Sequence, residues 1–230
     1  MRPLISILLP TRNRPHNLKR LYESVRATAS QMPEFSVYAD EDPASAELAR
    51  SLGMVVTLGT RRILLSDMWN VAYRAATGDI LMLCGDDIIF RTPNWDVWVR
   101  EAFAAYPDKI AFVYGDDLAH GRKHGTHGFL HRTWVELIGY FTPPIFSFGY
   151  CDTWLNDVAE ELGRRVFLPD VITEHMHPFW GKAEMDPVYR DGIERHDRDR
   201  VGELYQRTLP ERQRDVRILA RYIEERRAAV

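Results

Sequence analysis

Cysteine, an excess of either charge and long apolar runs are all scarce in this chain, and each scarcity removes a class of protein. Cys84 and Cys151 are the only two cysteines in 230 residues, far apart and outside any C-x-x-C spacing. Neither a disulfide scaffold nor a thiolate zinc site is expected, and a reducing, cytoplasmic setting fits. The net charge of −3 supplies no basic field of the kind that drives non-specific nucleic-acid binding. The N-terminal apolar run, Leu4 to Leu9, ends at Pro10. It is too short to span a bilayer and no small-residue cleavage site follows it, so it reads as a buried strand. No internal repeat or low-complexity tract is visible. What is present is ordinary globular composition, 45% hydrophobic and 27% charged, in a chain long enough to bury a substantial core.

The local patterns alternate. After the first strand, Leu18, Leu21, Tyr22 and Val25 recur at i, i+3, i+4 and i+7, the spacing of an amphipathic helix. Residues 35–39 and 54–58 predict a second and third strand, with a short helix over 43–53 stopped by Gly53 between them. Ser66 is placed to cap a helix whose Met68, Val71, Ala72 and Ala75 share a face and which ends at Gly78. Residues 80–84 and 110–114 predict the fourth and fifth strands around a helix over 95–106. This alternation implies a mostly parallel α/β sheet with helices on both faces. Beyond residue 115 the pattern loosens. Residues 115–128 read as a polar, glycine-rich loop, and Leu155, Val158, Ala159 and Leu162 restore a helix. Residues 164–175 suggest two short strands, and Val216, Leu219, Ala220 and Ile223 a final helix packed back on the body.

In open α/β sheets, ligands bind beyond the carboxyl ends of the strands. Four polar stretches fall at such ends: "PTRNRP" (10–15), "ADED" (39–42), "GDD" (85–87) and "GDD" again (115–117). The adjacent Asp86 and Asp87 interrupt an apolar run, and their mutual repulsion calls for a divalent metal, solvent or a basic partner. His175 and His177 share a face if their segment is extended, which suits a metal or a diphosphate. Four more histidines, His120, His124, His127 and His131, crowd a segment whose glycines and basic residues give no rigid ligand frame. That segment is expected to be a mobile loop. Asp152 lies three residues before Leu155, in the first turn of its helix, where an acid also favours the helix N-terminus.

"ISILLPTRNRPHNLKRLYESV", "YADED" and "NVAYRAATGDILMLCGDDIIF" together resemble the nucleotide-binding half of GT-A glycosyltransferases, particularly the inverting family-two group. "FGYCDTWLNDVAEELG" (148–163) resembles that group's acceptor segment. The resemblance implies a Rossmann-like, mostly parallel GT-A sheet over residues 1–180, with 1–117 as nucleotide half and 118–180 as acceptor half. A helical extension over 181–230 would pack on the same domain. It further implies a nucleotide-sugar donor, with a UDP-sugar favoured, a hydroxyl acceptor, and Mn2+ or Mg2+ as cofactor. Pro10, Thr11, Arg12, Asp40, Asp42, Arg62 (or Arg61), Asp86 and Lys182 would contact the nucleotide, and Asp86, Asp87, His175 and His177 the metal. Asp152 would be the catalytic base. Two acids of the family pattern are replaced here, by Cys84 and Cys151. Those replacements motivate a rival reading, a non-catalytic sugar-nucleotide or glycan-binding module. A nucleotidyltransferase is disfavoured because "PTRNRP" contains no glycine. Trp134, Tyr140, Phe141, Phe146, Phe148 and Tyr150 mark the segment expected to face the acceptor, which could be a glycan, a lipid-linked sugar, a protein or a modified base.

Overall fold

Short apolar segments buried on both faces build a single mixed sheet in the computed structural model, which describes residues 3–228. The first half runs β1 (Ile5–Thr11), α1 (Pro15–Thr28), β2 (Glu34–Asp40), α2 (Pro43–Ser51), β3 (Val55–Gly59), α3 (Leu65–Ala75), β4 (Ile80–Leu83), β5 (Ile88–Phe90) and α4 (Trp95–Ala104). The second half runs β6 (Phe112–Asp116), β7 (Gly128–His131), α5 (Arg132–Ile138), α6 (Cys151–Glu161), β8 (Arg165–His175), α7 (Pro187–Arg198), α8 (Val201–Arg207) and α9 (Leu209–Ala228). The strand order is β3-β2-β1-β4-β7-β6-β8-β5. The β3-β2-β1-β4 half is parallel, as the alternation implied. In the other half β7 is antiparallel to both β4 and β6, β8 is parallel to β6, and β5 is antiparallel to β8.

Alternate residues of each central strand feed opposite cores. Ile5, Ile7 and Leu9 of β1, with Ile80 and Met82 of β4, pack against Leu18, Leu21 and Val25 of α1 and Trp95, Val99 and Phe103 of α4. Leu8, Leu81 and Leu83 face the other way, onto Trp69 of α3, Trp134 of α5, Trp154 of α6, Val201 and Tyr205 of α8, and Leu219 and Ile223 of α9. Each such side chain, fully removed from water, contributes roughly 1.5–3 kcal/mol before conformational entropy is subtracted. The carboxyl ends of β1 and β4 are thereby held rigidly from both sides, which fixes the backbone that carries Thr11, Asp86 and Asp87.

Several expected boundaries shift. The expected loop over 115–128 gives way at Gly128 to β7 (Gly128–His131), a strand too short to show a period. The segment expected to hold two short strands forms one, β8 (Arg165–His175), which bulges where its register on β6 jumps from Leu168 opposite Gly115 to Ile172 opposite Asp116. Pro169, with no N–H to donate, lies inside that irregularity. Leu64, not Ser66, is the N-cap of α3, and the Ser66 hydroxyl instead donates to the Phe146 carbonyl. The helix stops at Ala75, before Gly78, where the chain turns extended at Ala76. Of the six expected acceptor-facing aromatics, Trp134, Phe141 and Phe146 are core residues, and only Phe148 lines the cavity described below. Among the described residues no helix is long and apolar enough to cross a membrane.

Candidate active site

Beyond the carboxyl ends of β1, β2 and β4 lies a cavity of about 290 Å³. Its walls include Pro10, Thr11, Arg12, Asp40, Arg62, Asp86, Asp87, Asp152, His175 and His177. Thus ten of the residues singled out in the sequence converge on one space, from segments as far apart as residues 10 and 177.

The two adjacent acids are split by their surroundings. Asp86 accepts from Thr11 Oγ1 at 2.7 Å and from Arg14 Nη1 at 3.3 Å. Burial, together with the charge of Asp87, nonetheless pushes its carboxyl up to about 6, against the pull of Arg14 and Thr11. Asp87 turns the other way, toward His175 Nε2 at 3.2 Å and the Tyr189 hydroxyl, which donates at 2.6 Å. Burial opposes its ionisation, but the His175 contact outweighs that and holds the carboxyl well below the usual range. Cys84, where the family pattern has an acid, is fully buried, and burial beside Asp87 and Asp86 pushes its thiol up, so it stays protonated.

Asp87, His127 and His175 each offer a ligand atom, and these atoms lie within 4.8 Å of one another. All three side chains are buried. Both ring nitrogens of His127, and Nδ1 of His175, are buried without a hydrogen-bond partner. Orphaned imidazole nitrogens beside an ionised carboxylate are the donor set a divalent cation satisfies, so these residues fit a metal. Burial and the neighbouring His175 bring His127 down to about 4, which keeps it neutral and able to ligate at neutral pH. Gly85 makes the arrangement sterically possible: a Cβ there would lie 2.5 Å from Asp87 Oδ1 and 3.2 Å from His127 Cε1. His127 was absent from the expected ligand set because only the pairing of β7 with β4 and β6 brings it to Asp87. His177 lies on the cavity wall but outside this group, and its Nδ1 accepts from the Phe179 amide at 3.3 Å. Asp86 is likewise outside the group, engaged by Thr11 and Arg14.

Elsewhere on the wall Asp40 receives Arg12 Nη1 at 3.0 Å and also pairs with Arg62, while its Oδ1 is buried without a partner. Asp42 does not join this wall. Its carboxylate caps α2 by accepting from Ser45 N at 3.0 Å and takes the Asn13 amide at 2.6 Å, so backbone donors occupy both oxygens. Lys182 also lies elsewhere, paired with Glu174 at 3.1 Å and donating to the Leu118 carbonyl at 3.4 Å. Helix α7 closes this side of the cavity. Asp186 forms a two-pronged pair with Arg14 at 2.7 Å, the Tyr189 ring lies 3.9 Å from the Arg14 guanidinium, and Asp191 pairs with Arg62.

Asp152 enters the cavity from the first turn of α6, after Gly149 and Tyr150, both in the left-handed region at φ +72° and +57°. His124 Nε2 meets its Oδ2 at 2.9 Å. Burial would raise the Asp152 carboxyl, but the His124 contact outweighs it and the pKa falls, while that of His124 rises for the same reason. The histidine segment is pinned rather than left as a free loop. Asn156 accepts from Gly125 N and donates to Gly125 O, both at 2.9 Å. Asp117 accepts from the amides of Ala119 and His120, from His120 Nδ1 and from the Thr126 hydroxyl. The signal for this was the second "GDD", whose Asp117 organises the turn that delivers His124 and His127.

The chain has the GT-A fold of glycosyltransferases, the fold implied by the sequence. Solved structures of that fold match the whole chain or most of it. A mannosyltransferase from Pyrobaculum calidifontis in complex with GDP-Man and Mn2+ superposes with a TM-score of 0.59 at 17% identity, covering 100% of this chain and 76% of that one. Glucosyl-3-phosphoglycerate synthase from Mycobacterium tuberculosis in complex with phosphoglyceric acid gives 0.59 at 15% identity, covering 84% and 76%. The same enzyme with Mn2+ and UDP-glucose gives 0.56 at 16%, covering 76% and 72%. No protein-family model and no curated protein sequence matches the chain.

Proposed function

We propose that this chain is a metal-dependent, inverting glycosyltransferase that moves a sugar from a nucleotide-diphosphate donor, with a UDP-sugar favoured, to a hydroxyl acceptor. The observation that carries the reading is the placement of Asp152 and of the Asp87–His127–His175 group on the walls of one cavity. The complexes of the P. calidifontis and M. tuberculosis enzymes with GDP-Man, UDP-glucose, Mn2+ and Mg2+ support the donor class and the cofactor.

Asp40 offers its unpartnered Oδ1 to a ring N–H of the base, with Arg12 and Arg62 holding the carboxylate in place. A Mn2+ or Mg2+ held by Asp87, His127 and His175 would neutralise charge on the diphosphate leaving group. Arg14, already beside Asp86, is placed to exchange its Asp186 partner for a phosphate oxygen. Asp152, ionised and aligned by His124, takes the proton of the acceptor hydroxyl as that oxygen attacks the anomeric carbon. The new C–O bond forms on the face opposite the breaking one, and the nucleoside diphosphate departs with the bonding pair. Cys151 takes no part, because burial pushes its thiol up and leaves no thiolate.

Calorimetric titration with UDP-, GDP-, CDP- and dTDP-sugars, with and without Mn2+, tests the reading. Metal-dependent binding of at least one donor, UDP-sugars most tightly, followed by turnover with inversion, is the expected result. Failure of every nucleotide to bind in Mn2+ would refute it, and tight binding without hydrolysis or transfer would favour a non-catalytic module.

A further inference from the structure

Two hydrogen-bonding groups of opposite kind are left unsatisfied on the part of the cavity wall that holds Asp40. Asp40 Oδ1 is buried and accepts nothing, while Oδ2 takes Arg12 at 3.0 Å and also Arg62. Arg195, in the last turn of α7, is 6% exposed and lines the same cavity. Its Nη2 donates to the Ile63 carbonyl at 2.8 Å, and neither Nε nor Nη1 has a partner among the described residues. The other buried arginines, Arg14, Arg100, Arg164 and Arg212, each have a carboxylate within 4 Å.

The contacts of Arg62 bring the two unsatisfied groups together. Arg62 reaches Asp40 with one nitrogen and Asp191 with another, and Asp191 precedes Arg195 by four residues on α7. Residues at that spacing are neighbours on one side of a helix. The residue after Arg62 supplies the carbonyl that Arg195 holds. Val188, Gly192 and Arg195, at i, i+4 and i+7, turn one face of α7 to the cavity. Charge is not what this wall lacks. The guanidiniums of Arg12, Arg62 and Arg195 stand against the carboxylates of Asp40, Glu41 and Asp191. What remains open is one acceptor on Asp40 and the N–H donors of Arg195. Unmade hydrogen bonds of buried groups are costly, so the pair calls for a ligand edge that sets an N–H beside a carbonyl oxygen.

Among the nucleobases that edge is the lactam, N3–H with C4=O in uracil and N1–H with C6=O in guanine. Cytosine and adenine carry the reverse pattern, a bare ring nitrogen beside an amino group. Either would set a lone pair against Asp40 and N–H against N–H at Arg195. Resting on the glycosyltransferase reading, we infer that Arg195 determines the donor base. It donates to the ring carbonyl beside the N–H that Asp40 accepts, so the chain takes a lactam base, uracil first, and rejects cytosine and adenine.

The test titrates the full chain with UDP, CDP, GDP and ADP in saturating Mn2+. UDP should bind at least about 30-fold more tightly than CDP, in which both hydrogen bonds are reversed, and GDP more tightly than ADP. Arg195→Met removes the donors and keeps an apolar stem. It should weaken UDP by about tenfold or more and CDP by less than about threefold, so that the ratio between them collapses. Arg195→Lys keeps the charge at shorter reach and should retain part of the ratio, which serves if the methionine variant melts early. GDP binding more tightly than UDP, with CDP and ADP still rejected, would uphold the role of Arg195 and move the donor base to guanine. Equal binding of UDP and CDP by the wild type would overturn the inference. So would a methionine variant that weakens both alike, as expected of an arginine that only holds α7 in place or meets the diphosphate. In either case a nucleotide still binds, and the donor reading stands. If no nucleoside diphosphate binds in Mn2+, the glycosyltransferase reading falls and this inference falls with it.

Discussion

His127→Leu separates a metal ligand from a structural histidine, because the two roles predict opposite stability effects. In the metal-free protein both ring nitrogens of His127 are buried without a partner. Each buried, unsatisfied polar group costs about 1–3 kcal/mol, so replacing the ring by an apolar side chain removes a penalty. The edge-on packing of His127 on His175, at 4.8 Å between ring centroids, is lost in exchange. The two effects offset, and metal-free stability should move by no more than about 1 kcal/mol in either direction. Saturating metal changes the comparison. At a hundred times its dissociation constant, Mn2+ adds about 2.7 kcal/mol to the wild type, or roughly 5–10 °C in melting temperature for a chain of this size. Losing one of three ligands should weaken the metal by about 100-fold or more, removing most of that increment. Urea denaturation with EDTA and with Mn2+ reads both quantities. If the leucine variant lost more than about 2 kcal/mol without metal, yet gained as much from Mn2+ as wild type, His127 would be a packing residue and the three-ligand group would be wrong.

Three further outcomes follow from the same geometry. Asp152→Asn should reduce transfer by about 10²–10⁴-fold in a coupled nucleotide-release assay while leaving UDP affinity unchanged, since the amide keeps the shape but cannot take a proton. Asp42→Ala should cost about 1 kcal/mol of unfolding free energy as the cap of α2 is lost, with no effect on nucleotide affinity; an affinity loss would return Asp42 to the binding wall. His124→Gln should destabilise by about 1 kcal/mol, the partly exposed contact being screened. The pH dependence of that loss is fixed in sign. The raised His124 pKa adds stability fully present below about pH 6.5 and lost as pH rises through its folded value, and the lowered Asp152 pKa adds stability lost as pH falls below about 4. The difference between wild type and variant should therefore be largest between about pH 4 and 6.5 and shrink toward pH 9. A pH-independent difference in urea titrations would show that the pair is not charged.

Much of the cavity was legible because its parts lie at strand ends that announce themselves locally. Thr11, Arg12, Asp40, Asp86, Asp87 and Asp152 each end or begin an apolar-periodic segment, and a parallel α/β sheet collects such ends on one edge. Asp42 and Lys182 show the limit of that logic. The first stands at a strand end but faces backbone amides, and the second is charged and well placed in sequence but pairs with Glu174. Sequence position does not say which way a side chain points.

What the residues by themselves determined is the parallel half of the sheet and the acids at its edge, because period, chain reversal and handedness are local properties. Only the tertiary structure decided which groups complete the site. His127 reaches Asp87 because a four-residue strand inserts antiparallel between β4 and β6. Arg14 and Arg195 become cavity residues because α7 folds back over the strand ends. Both depend on pairings between segments far apart in sequence, whose free energy comes from long-range burial and leaves no periodic trace along the chain.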